Sequence, residues 1–86
     1  MYEDIISGIK VGDSSFFNDA YFRYHQQIYQ FIFKKTQSDY IATEVVQLCF
    51  IRLWEKRNAL SETTGLNVQL FGMELIEYLK VENLHN

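Results

Sequence analysis

The chain has 86 residues, enough for one small domain and too few for a multi-domain enzyme or a tandem array. Hydrophobic residues make up 48% and charged residues 22%, which argues against intrinsic disorder, and the absence of proline argues against a turn-rich all-β domain. The net charge of −3 is uneven: residues 1–19 hold one Lys and four acids, residues 20–57 six bases and three acids, and residues 58–86 one Lys and four Glu. A basic middle between acidic ends is a mild asymmetry, not the basic stripe of a strong duplex-DNA binder.

The first expected element is a short helix over about Tyr2 to Lys10, with Ile5, Ile6 and Ile9 on one side. Gly12-Asp13-Ser14-Ser15 is a break, in which Asp13, Ser14 or Ser15 supplies an oxygen to cap the next helix. That helix is expected from about Phe16 to Lys35. Phe17, Tyr21, Tyr24, Ile28, Phe31 and Ile32 recur at spacings of mostly three and four, the stripe of a core-facing helix. Lys34 and Lys35 suit its last turn, where cations meet the negative end of the helix dipole.

Ser38 or Asp39 is positioned to cap a third helix running to about Arg57. Ala42, Val45, Val46, Cys49, Phe50, Leu53 and Trp54 form one apolar face at about 100° per residue. The opposite face carries Glu44, Gln47, Leu48, Ile51 and Glu55, so two aliphatics lie on the side expected to be wet. Asn58 to Gly65 is a polar loop. A last helix is expected from Leu66 or Asn67 to about Glu82, with Asn67 as a candidate cap and Val68, Phe71, Leu75 and Leu79 as its core stripe. Gly72 inside it costs about 1 kcal/mol relative to Ala. The fold class expected is all-α, a three- to four-helix bundle forming a single domain over residues 1–86.

No catalytic constellation stands out. Two histidines (His25 and His85) and one cysteine are too few for a zinc site of about four ligands, and there is no glycine-rich phosphate loop. Cys49 falls on the apolar face of its helix, as a core residue does, and His25 falls on a polar side. Glu44 and Glu55 stand about 16 Å apart along one helix, too far for paired acid–base work. The expectation is a non-enzyme with no cofactor and no metal. A lone cysteine fits a reducing compartment, and no stretch approaches the roughly 18 apolar residues of a membrane span. With no signal-peptide pattern at Met1-Tyr2-Glu3-Asp4, a cytoplasmic location is expected.

Several segments taken in order carry a family likeness. They are Gly12-Asp13 with Phe17; Tyr21-Phe22-Arg23-Tyr24-His25 with Ile28-Tyr29-Gln30-Phe31; and Ala42-Thr43-Glu44-Val45-Val46-Gln47 with Phe50-Ile51-Arg52-Leu53-Trp54-Glu55. Over roughly residues 9–71 the chain resembles region 2 of the extracytoplasmic-function (ECF) sigma factors of bacterial RNA polymerase, with a Bacteroidetes flavour in Lys56-Arg57. The resemblance implies a cytoplasmic transcription-initiation domain with two jobs. Its third helix docks on the clamp helices of the polymerase β′ subunit, with Glu44, Gln47 and Arg52 at positions that match the family's; Leu48, Ile51 and Glu55 join them in the mixed polar–apolar strip that such an interface needs. The following loop and last helix hold the unpaired strand of the promoter minus-ten element, through Arg57, Asn58, Ser61, Thr63, Thr64 and Asn67. The partners implied are core RNA polymerase and promoter DNA, and the family admits an anti-sigma factor.

The chain also departs from the family pattern. Leu48 stands where Glu is usual, the family's second, promoter minus-thirty-five domain is not in this sequence, and after Phe71 the expected arginines are missing. Lys80 is the one base after Arg57, and an acidic helix beside a phosphate backbone is unfavourable. A second reading therefore stands beside the first: a sigma-like binding protein that docks on polymerase or another helical partner without binding DNA. The loop hydroxyls read equally as DNA contacts or as ordinary loop residues, and the strip on the third helix as an interface or as a solvated face.

Overall fold

A computed structural model describes residues 2–85, and the described residues contain helices and no strand. Helix α1 spans Tyr2–Lys10, α2 Ser14–Thr36, α3 Asp39–Glu55 and α4 Leu66–His85, with a 3₁₀ turn at Arg57–Ala59. The all-α bundle expected from periodicity is the fold observed, and α1 has the expected bounds. None of the helices is long and apolar enough to cross a membrane.

The breaks follow from local chemistry. Gly12 takes a left-handed φ of +85°, which lets Asp13 N–H reach back to Gly8 O at 3.0 Å and close α1. Asp13 is then the cap of α2: its carboxylate accepts from Ser15 N at 2.9 Å and from the Ser15 hydroxyl at 2.7 Å, which holds its pKa below the usual value. Gly8 is needed for close approach, since a Cβ there would lie 2.3 Å from the Phe16 ring. Helix α2 ends on Gln37, left-handed at φ 55°, and Ser38 caps α3 through Ile41 N at 3.1 Å. So short a link makes α2 and α3 an antiparallel hairpin.

Helix α3 is the centre of the bundle. It packs on α2 along one side and on α4 along the other, while α1 packs on α2 and the 3₁₀ turn. Ala42, Val45, Val46, Cys49, Phe50 and Leu53 are buried, the face expected from spacing, with Trp54 half-buried at its edge. It ends at Glu55, two residues earlier than expected. Ile5, Ile6 and Ile9 of α1 and Ala20, Ile28 and Ile32 of α2 complete the same core. Phe17, Tyr24 and Phe31 pack against it only in part, and Tyr21 stays at the surface.

Helix α4 departs from expectation. Its buried side is Leu66, Leu70, Glu74, Glu77 and Val81, whereas the expected core stripe faces solvent: Val68 is 58% exposed, Phe71 46%, Leu75 36% and Leu79 60%. Glu77 explains part of this inversion. It meets Arg52 of α3 at 3.2 Å, and Lys80 reaches the same oxygen at 3.7 Å. One turn earlier, Cys49 Sγ lies 3.8 Å from Leu70 O. Asn67 is not the cap, because the helix begins at Leu66 and Gly65 O accepts from Val68 and Gln69 N–H.

Glu74 is drawn inside by the same rotation. It is 3% exposed, its Oε2 has no hydrogen-bond partner, and burial pushes its pKa up from 4.5 to about 7. The folded state therefore binds this proton more tightly than the unfolded chain does. Stability is undiminished below about pH 4.5 and falls as pH rises through about 7. Glu74→Gln is expected to stabilise the domain by on the order of 2 kcal/mol near pH 8 and to be close to neutral near pH 4. Urea unfolding of both proteins at the two pH values checks this; an equal difference at both would contradict it.

Candidate functional site

Two spacings build the principal surface. Phe17 and Tyr21 lie one turn apart on α2, and Phe50 and Trp54 lie one turn apart on α3. The antiparallel hairpin sets these pairs against each other, edge to face: Phe17–Trp54 at 5.2 Å, Phe17–Phe50 at 6.2 Å and Tyr21–Phe50 at 5.0 Å. The rings line an apolar groove of about 620 Å³ between α2 and α3, completed by Ser14, Gln47, Ile51 and Glu55. His25 extends the wall, stacked on Tyr21 at 4.6 Å with its Nδ1 2.8 Å from Tyr21 O. Arg57 stacks on Trp54, its guanidinium 4.3 Å from the ring centroid and its Nη1 donating to Trp54 O at 2.8 Å.

The six polymerase-facing candidates do not form one surface. Gln47, Ile51 and Glu55 are exposed along the groove, with Ile51 52% accessible. Glu44 is half-buried beside a second hollow of about 410 Å³ that it shares with Asp39, Tyr40, Thr43 and Gln47. Leu48 is partly buried against the core. Arg52 is turned to α4 and held by Glu77.

The six candidates for DNA are likewise dispersed. Arg57 is committed to Trp54, while Asn58 is exposed on the 3₁₀ turn. Ser61 Oγ lies 3.1 Å from Thr63 Oγ1 and 3.4 Å from Thr64 Oγ1, so these hydroxyls bond to one another. Asn67 lines a separate cleft of about 380 Å³ between α2 and α4, together with Tyr24, Phe31, Phe71 and Glu74.

The residue that organises this loop is Gln69, which sequence reasoning did not single out. Its Nε2 donates to Ser61 O at 2.9 Å and Thr64 O at 2.8 Å, and its Oε1 accepts from Ser61 N at 2.9 Å. From the other side Lys10 Nζ donates to Leu60 O at 3.0 Å and Ser7 Oγ to Glu62 at 3.2 Å. The loop is thus clasped between α4 and α1. An amide side chain one turn into a helix was the available signal, since it carries both a donor and an acceptor.

Cys49 is a core residue, as its position on α3 predicts. Burial, reinforced by the charges of Glu74 and Glu77, pushes its thiol up to about 12, so it holds no reactive thiolate at neutral pH. Among the described residues no group of three or more His, Cys, Asp or Glu is placed to hold a metal ion. The chain matches no family model, no curated protein and no solved structure.

Arg52 is thus a structural partner of Glu77. Arg52→Ala leaves a buried carboxylate with the more distant Lys80 as its compensation, and is expected to cost about 2 to 3 kcal/mol in urea unfolding. Replacing Arg52 and Glu77 together by Met is expected to recover most of that loss. An Arg52→Ala variant as stable as the parent would show that the pair does not hold α4.

Proposed function

We propose that this chain is a sigma region 2-like domain that docks on the β′ clamp helices of RNA polymerase without holding promoter DNA. The observation that carries the reading is Ile51, half exposed and set between Gln47 and Glu55 along an aromatic groove. These three are on the mixed polar–apolar strip of α3, the helix that the family resemblance assigns to polymerase, and Gln47 matches a family position. An exposed aliphatic beside an open apolar groove supplies buried area, and the carboxylate and amide beside it supply register and charge preference toward a basic partner. A helix laid along α3 is the partner shape that such a linear strip fits.

The promoter-binding half of the family's role has weaker support. Two of the bases near the loop, Arg52 and Arg57, are spent on Glu77 and Trp54. The loop hydroxyls are bonded internally, and the outer face of α4 is apolar. Affinity for single-stranded DNA rests on cationic grooves and stacking platforms, and Lys56 is the remaining exposed base beside the loop.

Calorimetric titration of the chain with the isolated β′ clamp coiled coil tests the proposal. Saturable binding is expected, weakened at least about tenfold by Ile51→Asp and by less in Gln47→Ala. A single-stranded minus-ten oligonucleotide is expected not to bind. No association with the coiled coil at tens of micromolar, with the chain folded by circular dichroism, would refute the docking reading. Saturable DNA binding abolished by Lys56→Glu would restore the promoter role.

A further inference from the structure

The α2–α4 cleft is lined by a carboxyl group that no described cation pairs. Tyr24, Ile28 and Phe31 line it from α2, and Val68, Phe71 and Glu74 from α4. Phe31 and Phe71 meet edge to face at 5.6 Å. Glu74 is buried and its Oε2 is unpartnered, and no ion pair reaches it among the described residues. The nearby cations are engaged elsewhere: Arg52 and Lys80 on Glu77, and Lys35 over the Phe31 ring at 5.1 Å.

The cleft also opens onto a larger apolar surface. Val68 and Phe71 line it and at the same time begin the exposed stripe that continues through Leu75, Ile76 and Leu79. Those five side chains follow one face of α4 for about 16 Å, the length of three helical turns. Gly72 lies within the stripe with no atom near its Cβ position, leaving a notch between the ridges.

We propose that this face docks an amphipathic helical segment of a partner protein, which lays aliphatic side chains along the stripe and inserts one Lys or Arg into the cleft against Glu74. Charge complementarity selects this occupant. A buried carboxylate is costly until it is paired, and the stem of a basic side chain fits between aromatic walls while its head meets both the carboxylate and the ring faces. A second copy of the chain fits less well. The cation on the exposed side of α4, Lys80, is already paired with Glu77. The face is separate from the α2–α3 groove, so the inference stands apart from the polymerase reading.

The test, at pH 8 where Glu74 is mostly ionised, uses two capped helical peptides of Leu and Ala, one with a single central Lys and one with norleucine in its place, titrated by fluorescence anisotropy. The Lys peptide is expected to bind about tenfold more tightly than the norleucine peptide. Glu74→Gln, which keeps the side-chain shape and removes the buried charge, is expected to erase that preference. Leu79→Ser is expected to weaken both peptides alike, and Ile51→Asp to change neither. Equal binding of the two peptides, binding of neither, or a preference that survives in Glu74→Gln would overturn the proposal. So would a dimer of the chain alone in sedimentation velocity that Leu79→Ser dissociates, since the stripe would then be covered by a second copy.

Discussion

The rotation of α4 about its own axis decides what this molecule shows to its surroundings, and the Arg52–Glu77 ion pair is the polar contact that favours the observed face. Helix α4 is apolar on more than one side, so burial of hydrophobic area alone does not choose a face. One choice buries Leu66, Leu70 and Val81 with two glutamates; the other would bury Val68, Phe71, Leu75 and Leu79. Arg52 stands near the end of α3 with 28% of its side chain accessible, and Glu77 opposite it with 8%. Swinging Glu77 outward would strip Arg52 of its carboxylate at a partly desolvated site. The pair thus keeps the first set inside, and Glu74, three residues earlier on the same face, goes in with Glu77.

That rotation has two consequences of opposite sign. It costs stability at neutral pH, because Glu74 is buried and no ion pair reaches it among the described residues. It also places the longest apolar stripe of α4 in solvent, next to the cleft that holds Glu74. An exposed aliphatic stripe and an uncompensated carboxylate are each unfavourable in an isolated domain, and one ligand with an apolar face and a single positive charge relieves both. The α2–α3 groove arises differently. It follows from two pairs of aromatics at one-turn spacing on adjacent antiparallel helices, and Arg57 stacks on the Trp54 ring beside it. The two surfaces share no lining residue and depend on different contacts.

What the sequence revealed, and what it did not, divides along local and non-local physics. The α3 face was legible because Ala42, Val45, Val46, Cys49, Phe50, Leu53 and Trp54 fall in one arc at helical spacing. The caps at Asp13 and Ser38 were legible because each is a matter of a few adjacent residues. The α4 face was not, since periodicity cannot rank two apolar arcs when a charge pair 25 residues away in sequence sets the choice. Arg52 was read as a surface contact for the same reason. Ser61, Thr63 and Thr64 looked available to a ligand, whereas Gln69 and their own mutual hydrogen bonds occupy them. Gln47, Ile51 and Glu55 were legible as a strip, but the groove beside them needed the aromatics of α2.

Solvent paramagnetic relaxation of the methyl groups tests the burial of α4 most directly. A soluble gadolinium chelate relaxes methyls in proportion to their exposure. Strong relaxation is expected at Leu75, Ile76 and Leu79, and protection at Leu66, Leu70 and Val81. Protected methyls at Leu75 and Leu79, with relaxed ones at Leu70 and Val81, would mean that α4 packs through its other face and that Arg52 does not hold it.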